Sequence, residues 1–367
     1  MATISRRSFV ASAAGAFALA PGLVRAAATD DTPWGGEKIV DCHFHQRPSV
    51  EAMLAHLDGS GVSSALVLAF DDMGGRMAML RRDHPGRFPG WARGGRLTDD
   101  ASTGAAAPTP PEFDMTRVFS VASRRHAVKA LSRAKAKGWK GFAETAGPVE
   151  VDGPELQQLY ALAAELDVPV MMHFQQSVVP GQPAYGIRGF SRIEAMLKKY
   201  PKTRFVCHSS DFWGNIDARF KDGGAYPTGK VAPGGLTDRL LADHPNIYGD
   251  LGAPSCLMQL ARDVDFTGGF LHRHGDKLMF GSDCGCTDGR GGQAARPAAP
   301  AAASPAPSGQ IDATSATALQ LRMAAQGGLA GKCIARELLA LAWRTTPRDL
   351  FRRLTWENAN RVYRLAG

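Results

Sequence analysis

The sequence predicts one parallel (β/α)8 barrel behind a short export leader, and three observations carry that reading. Eight short apolar runs ending in polar turns recur along the chain, and helical periodicity fills most of the gaps between them. No glycine-rich phosphate-binding turn follows the first run. Alternating strand and helix dictates a parallel sheet with crossover helices. Eight such units in roughly 340 residues match a closed barrel, whose reactive face lies at the strand C-terminal ends. An open doubly wound sheet is the alternative, and the missing glycine turn speaks against it.

Residues 1–28 read as the leader. Ser5-Arg6-Arg7-Ser8-Phe9-Val10 precedes an Ala-rich apolar run to about Val24 and the small residues Ala26, Ala27 and Ala28. This is the pattern of a twin-arginine signal, cleaved between Ala26 and Ala28. It predicts passage through the twin-arginine export machinery to the periplasm or beyond. That route carries folded cargo, so it hints at a metal or cofactor acquired before export. The apolar run is too short to span a bilayer comfortably and no later run approaches that length, so no membrane span is expected in the mature form.

The predicted strands are Lys38–His43, Ser63–Ala69, Arg87–Ala92, Trp139–Glu144, Val168–His173, Thr203–His208, Asn246–Asp250 and Lys277–Asp283. Between them Gly153–Leu166 and Ser191–Lys199 repeat apolar residues every three or four positions, as helices do. Helices near Cys333–Trp343, Pro347–Leu354 and Glu357–Arg364 follow, placed to pack on the barrel or close it. Two segments break the pattern. Residues 97–112, rich in Ala, Thr, Asp and Pro, form a candidate lid, and residues 287–310, largely Ala, Pro, Ser and Gly, read as a solvated low-complexity insertion.

The formal charge is +8 over 367 residues. Removing Arg6, Arg7 and Arg25 with the leader leaves about +5, too mild and too scattered for a nucleic-acid surface. The expected partner is a small-molecule substrate, and a homo-oligomer is compatible with the sequence. Six cysteines are too few for a disulfide-dependent scaffold of this length. By alternation Cys42 and Cys207 should point outward as small apolar fillers. Cys284, Cys286 and Cys333 flank the insertion, where a disulfide could tie its ends; thiolate ligation of a metal is the weaker expectation.

The chemistry gathers at the strand ends. His43 and His45, two apart in a strand, put both imidazoles on one face, in reach of one metal ion. His173, His208 and Asp283 each end a separate predicted strand, so residues distant in sequence converge at one mouth. By contrast His56, His84, His126, His244, His272 and His274 fall on helices or polar turns and read as surface residues.

Asp41-Cys42-His43-Phe44-His45, Met172-His173-Phe174-Gln175, Phe205-Val206-Cys207-His208 and Phe280-Gly281-Ser282-Asp283 together resemble the amidohydrolase superfamily, in its amidohydrolase-related branch. The likeness runs from about Glu37 to Leu365. It includes Tyr226-Pro227-Thr228-Gly229, Pro233-Gly234-Gly235-Leu236, Tyr248-Gly249-Asp250-Leu251 and Glu357-Asn358-Ala359-Asn360-Arg361, and looks like an exported subgroup. The insertion after strand eight and Ser255-Cys256-Leu257-Met258 after strand seven depart from the branch, the latter bearing on substrate specificity. The resemblance implies that His43, His45, His173 and Asp283 bind a divalent metal. It also implies that His208 either binds a second ion or stands beside the first. Glu144 either bridges two ions or is a strand-end carboxylate paired locally.

Imidazole and carboxylate ligands favour zinc, with manganese or iron also compatible, in one or two ions. Such an ion lowers the pKa of water to about 7. Asp283 is then the candidate general base and His208 or the metal the stabiliser of the oxyanion. Arg93 could pair with a substrate carboxylate, Tyr185 or Trp213 could stack on a ring, and Asp250 could orient substrate or cap a turn. The expected activity is hydrolysis of an amide, ester or lactone. The branch also includes metal-dependent decarboxylases, which makes decarboxylation of an aromatic or unsaturated acid the nearest alternative. A non-catalytic binding barrel is a third.

Overall fold

The computed structural model describes residues 33–69, 75–96, 121–177, 185–292 and 329–365, without the side chains of 93–96, 121–127 and 130. The leader, the candidate lid and all but the first residues of the insertion lie outside the described residues.

Eight parallel strands follow one another around a single sheet: β1 (Val40–His45), β2 (Ser64–Ala69), β3 (Gly90–Arg96), β4 (Trp139–Ala146), β5 (Pro169–His173), β6 (Arg204–His208), β7 (Ile247–Asp250) and β8 (Leu278–Met279). Backbone bonds from Cys42 N to Phe280 O and from Asp283 N to His43 O, both 3.0 Å, link the exit of β8 to β1. The chain is therefore a (β/α)8 barrel, as its strand and helix alternation predicts. The eighth strand is shorter than its apolar run. Only two residues stay in the ladder with β7, and Phe280 N turns away to Leu354 O at 2.7 Å. Asp283 thus lies beyond a strand rather than at its end.

The helix Pro154–Leu166 illustrates how the outer layer forms. Gly153 enters in an extended conformation, Pro154 supplies a fixed φ at the first turn, and Asp167 closes the helix in the left-handed region. Its buried stripe, Leu156, Leu159, Tyr160, Ala163 and Leu166, packs in the layer between helices and strands. A separate interior cluster, including Val40, Leu66, Leu68, Met171, Val206 and Met279, fills the barrel itself.

Cys207 faces the outer layer as alternation requires, but Cys42 does not. It packs with Val40 in the interior cluster, because the β1–β2 register shifts between Asp41 and Phe44. That irregularity turns His43 and His45 toward the mouth while the residues below keep filling the barrel.

The C-terminal helices close the opposite end. Ala359, Val362 and Tyr363 join the interior cluster, and Lys140 Nζ, near the start of β4, donates to Arg364 O at 2.6 Å. Asn358 is the latch: its buried Nδ2 donates to Gly275 O at 2.6 Å and Leu278 O at 2.7 Å. Asn358→Ala should leave both carbonyls unpaired and cost about 2–4 kcal/mol. Thermal and urea unfolding of the two proteins checks this, and an unchanged midpoint would remove Asn358 from the account. Among the described residues no helix is long and apolar enough to cross a membrane.

Candidate active site

Asp41, on β1, is the strap that aligns two of the predicted ligands. Its Oδ1 accepts from His43 N at 2.9 Å and from Ser282 N at 2.8 Å, tying β1 to the segment that carries Asp283. Asp283 itself has a left-handed φ of 47°, a conformation costly for a residue with a Cβ and here pinned by its N–H bond to His43 O.

His43, His45, His208 and His173 form a chain of edge-on ring contacts, with centroid distances of 5.1 Å (His43–His45), 4.6 Å (His43–His208) and 4.8 Å (His173–His208). His43 Nε2 lies 3.3 Å from His45 Nε2 and 3.6 Å from Asp283 Oδ1, and His45 Nε2 lies 3.1 Å from the same oxygen. On the other side of the ring, His43 Nδ1 is 2.5 Å from Asp250 Oδ2. A carboxylate in that position holds the Nδ1–H tautomer and leaves the Nε2 lone pair facing the mouth. Asp250 is fully buried and addresses a histidine, so the expectation that it orients substrate or caps a turn is corrected. Gly281 makes this packing feasible: a Cβ there would lie 2.2 Å from Asp250 Oδ1 and 2.6 Å from His43 Cβ.

Glu144, at the mouth end of β4, lies among four other groups, with Oε2 3.8 Å from His45 Nε2. Its Oε1 contacts His173 Nδ1 and lies 2.7 Å from His208 Nε2, while Oε2 accepts from the Tyr185 hydroxyl at 3.2 Å. The other nitrogen of the buried His208 ring, Nδ1, has no hydrogen-bond partner among the described residues. A buried imidazole with a ring nitrogen unsatisfied is costly as a structural residue.

At the mouth two sets of donor atoms close to within 4.8 Å: His43, His45 and Asp283, and His43, Glu144 and His208. His43 belongs to both. His173 belongs to neither, because its Nδ1 faces Glu144 and its Nε2 lies 3.0 Å from Ser209 Oγ and 3.1 Å from Gln175 Oε1. Electrostatics agree with a cation site. Burial alone would lower the His43 pKa, but the carboxylates of Asp283, Asp250 and Glu144 raise it to about 10. Burial would raise Asp283, yet His43 and His45 hold its carboxyl well below the usual range. Three carboxylates, Asp283, Asp250 and Glu144, thus favour a positive charge at His43, which a divalent ion would supply.

The remaining expectations divide. Tyr185 stands at the mouth, 39% exposed, its ring edge-on to His173. Trp213 does not: it is buried against Phe212 and Phe270, and its indole N–H donates to Asp250 O at 3.1 Å, so it cannot stack on a substrate. The Arg93 side chain is outside the described residues. Of the histidines read as surface residues, His56 and His274 are buried, the latter with Nε2 2.5 Å from Asp238 Oδ1. His84 and His244 are half-buried, His272 is exposed, and the His126 side chain is not described.

An eight-stranded parallel barrel with imidazoles and carboxylates converging at the C-terminal mouth has the architecture of metal-dependent TIM-barrel enzymes. The amidohydrolase family model matches residues 40–365, and the chain belongs to that family. The family is one of metal-dependent hydrolases. Comparison with curated proteins found no match. Solved structures similar to the chain include a putative amidohydrolase from Staphylococcus aureus, at 11% identity over 67% of this chain and 87% of that one, with a TM-score of 0.36. A dihydroorotase from Saccharomyces cerevisiae in complex with 5-fluoroorotic acid is 12% identical over 89% of this chain and 84% of that one, also with a TM-score of 0.36.

Proposed function

We propose that the mature protein is an exported hydrolase that cleaves the acyl C–N or C–O bond of an amide, ester or lactone in a small molecule. The observation that carries this reading is the convergence of His43, His45, Asp283, Glu144 and His208 at one mouth, with His208 Nδ1 unpartnered. His43, His45 and Asp283 would hold the divalent ion, with zinc the best fit to the donors. His43, Glu144 and His208 offer an alternative position for that ion, since His43 Nδ1 is held by Asp250 and its one Nε2 lone pair serves one ion, while His173 orients Glu144. When bound, such an ion makes water acidic enough to attack at neutral pH and polarises the carbonyl.

The protein's own groups do the rest. Asp283, ionised throughout the neutral range, takes the proton of the attacking water and passes it to the departing nitrogen or oxygen. Asp250 keeps His43 in one tautomer, and Tyr185 anchors Glu144 from the solvent side. The leader, which carries two adjacent arginines and an Ala-rich run, supports delivery by the twin-arginine route to the periplasm.

The test is turnover in oxygen-18 water across a panel of amides, esters, lactones and aromatic carboxylic acids. Hydrolysis predicts one solvent oxygen in the acid product. Release of carbon dioxide with no solvent oxygen incorporated would replace this reading with decarboxylation.

A further inference from the structure

A second cluster of metal-ligating groups lies behind the mouth. Cys284, Cys286, Cys333 and His56 are all buried, and their donor atoms lie within 4.8 Å of one another. Cys284 Sγ is 3.4 Å from Cys286 Sγ and 3.8 Å from Cys333 Sγ, and Cys286 Sγ is 3.3 Å from His56 Nδ1. A tetrahedral zinc site with Zn–S of about 2.3 Å and Zn–N of about 2.0–2.1 Å has S–S edges of about 3.8 Å and S–N edges of about 3.6 Å. A disulfide needs its sulfurs at about 2.05 Å, and one bond would strand the third cysteine. The cysteines stand as free thiols, not as the disulfide the sequence allows across the insertion.

Two independent features suit thiolates here. Hydrogen bonds from the thiols of Cys284 and Cys333 and from the backbone N–H groups of Gly289 and Gly291 hold the Cys286 thiol below the usual range, and Cys333 stands at the N-cap of the helix Ile334–Thr345. Arg47 is buried beside the cluster with its Nε donating to Cys286 O at 2.9 Å and its terminal nitrogens to Cys284 O and His45 O. It pairs with no carboxylate among the described residues, and a buried guanidinium without a counter-charge is costly. Three thiolates, one neutral imidazole and a divalent ion sum to −1, which supplies that counter-charge.

We propose that His56 Nδ1, Cys284, Cys286 and Cys333 bind a structural zinc ion. Ligation exchanges the 2.9 Å approach of His56 Nδ1 to Cys286 O for the metal, and the three thiols lose their protons to solvent. With four protein ligands the site is closed, so its role is to clamp. It joins the helix Val50–Ser60, the exit of β8 and the helix Ile334–Thr345, and it ties together residues 49 apart in sequence. Asp283 immediately precedes Cys284 and Arg47 reaches His45 O, so the clamp also steadies the mouth.

The experiment is cobalt substitution of the full mature chain. Thiolate-to-cobalt charge transfer gives a near-ultraviolet band that a centre of imidazoles and carboxylates cannot produce. The band is expected in the wild type and in His43→Ala, and it should be lost in Cys286→Ser and Cys333→Ser. This separates the clamp from the proposed hydrolytic centre, since either can fail alone. Should the serine variants not fold, the wild type decides. Non-reducing mass analysis showing no disulfide, with thiols that resist alkylation until a chelator is added, supports the site. A cobalt-loaded wild type without the band, or a disulfide between any two of the three cysteines, overturns it.

Discussion

Asp283→Asn should reduce kcat by about 10²–10⁴-fold, the range over which a positioned acid–base group contributes, or about 3–5 kcal/mol of barrier. The amide keeps an oxygen where Asp283 Oδ1 faces His43 and His45, so part of the ligand set survives, but it cannot accept a proton. The loss should therefore fall on kcat more than on KM. Steady-state kinetics at neutral pH on any substrate found by the oxygen-18 screen checks this. Near-normal turnover would remove Asp283 as the base.

His43→Ala should abolish activity and metal binding at the mouth together. His43 is the one residue shared by both donor sets at the mouth, and among the described residues it is the imidazole paired with Asp250. Its removal also leaves a buried carboxylate without its partner, a change that costs about 3–5 kcal/mol in comparable buried pairs. A double variant, His43→Ala with Asp250→Asn, separates the two effects. It should regain stability on thermal unfolding while remaining inactive and metal-poor at the mouth.

The barrel and the gathering of His43, His45, His173 and His208 at one mouth were legible because both follow from short-range pattern. Apolar runs such as Val168–His173 and Thr203–His208 reappear as β5 and β6 nearly unchanged. His43 and His45 share a face because strands alternate. The apolar run Arg87–Ala92 begins and ends before β3, whose exit Arg93-Gly94-Gly95-Arg96 carries no apolar signal. What the sequence did not show depends on long-range closure. Asp250 lies beneath His43 only because β7 reaches the mouth level with β1, and Gly281 leaves the room. Arg47 finds the carbonyls of Cys284 and Cys286 through chain separations of more than 230 residues.

His56 was nonetheless within reach of pattern reading. Met53, His56, Leu57 and Ser60 are the buried residues of their helix, spaced three, one and three apart, so the histidine lies on the apolar stripe rather than opposite it. Asp41 carried a similar signal: an acid two positions before a His-x-His pair, inside a strand buried on both faces. In each case a polar residue on a buried face marked a partner elsewhere.

The central claim is that the mouth binds a divalent ion through His43. The direct measurement is zinc per chain by elemental analysis after equilibrium dialysis, for wild type and His43→Ala side by side. Any ion in the cysteine cluster contributes equally to both and cancels in the difference. The account predicts at least one fewer ion per chain in the variant; equal zinc in the two proteins would contradict it.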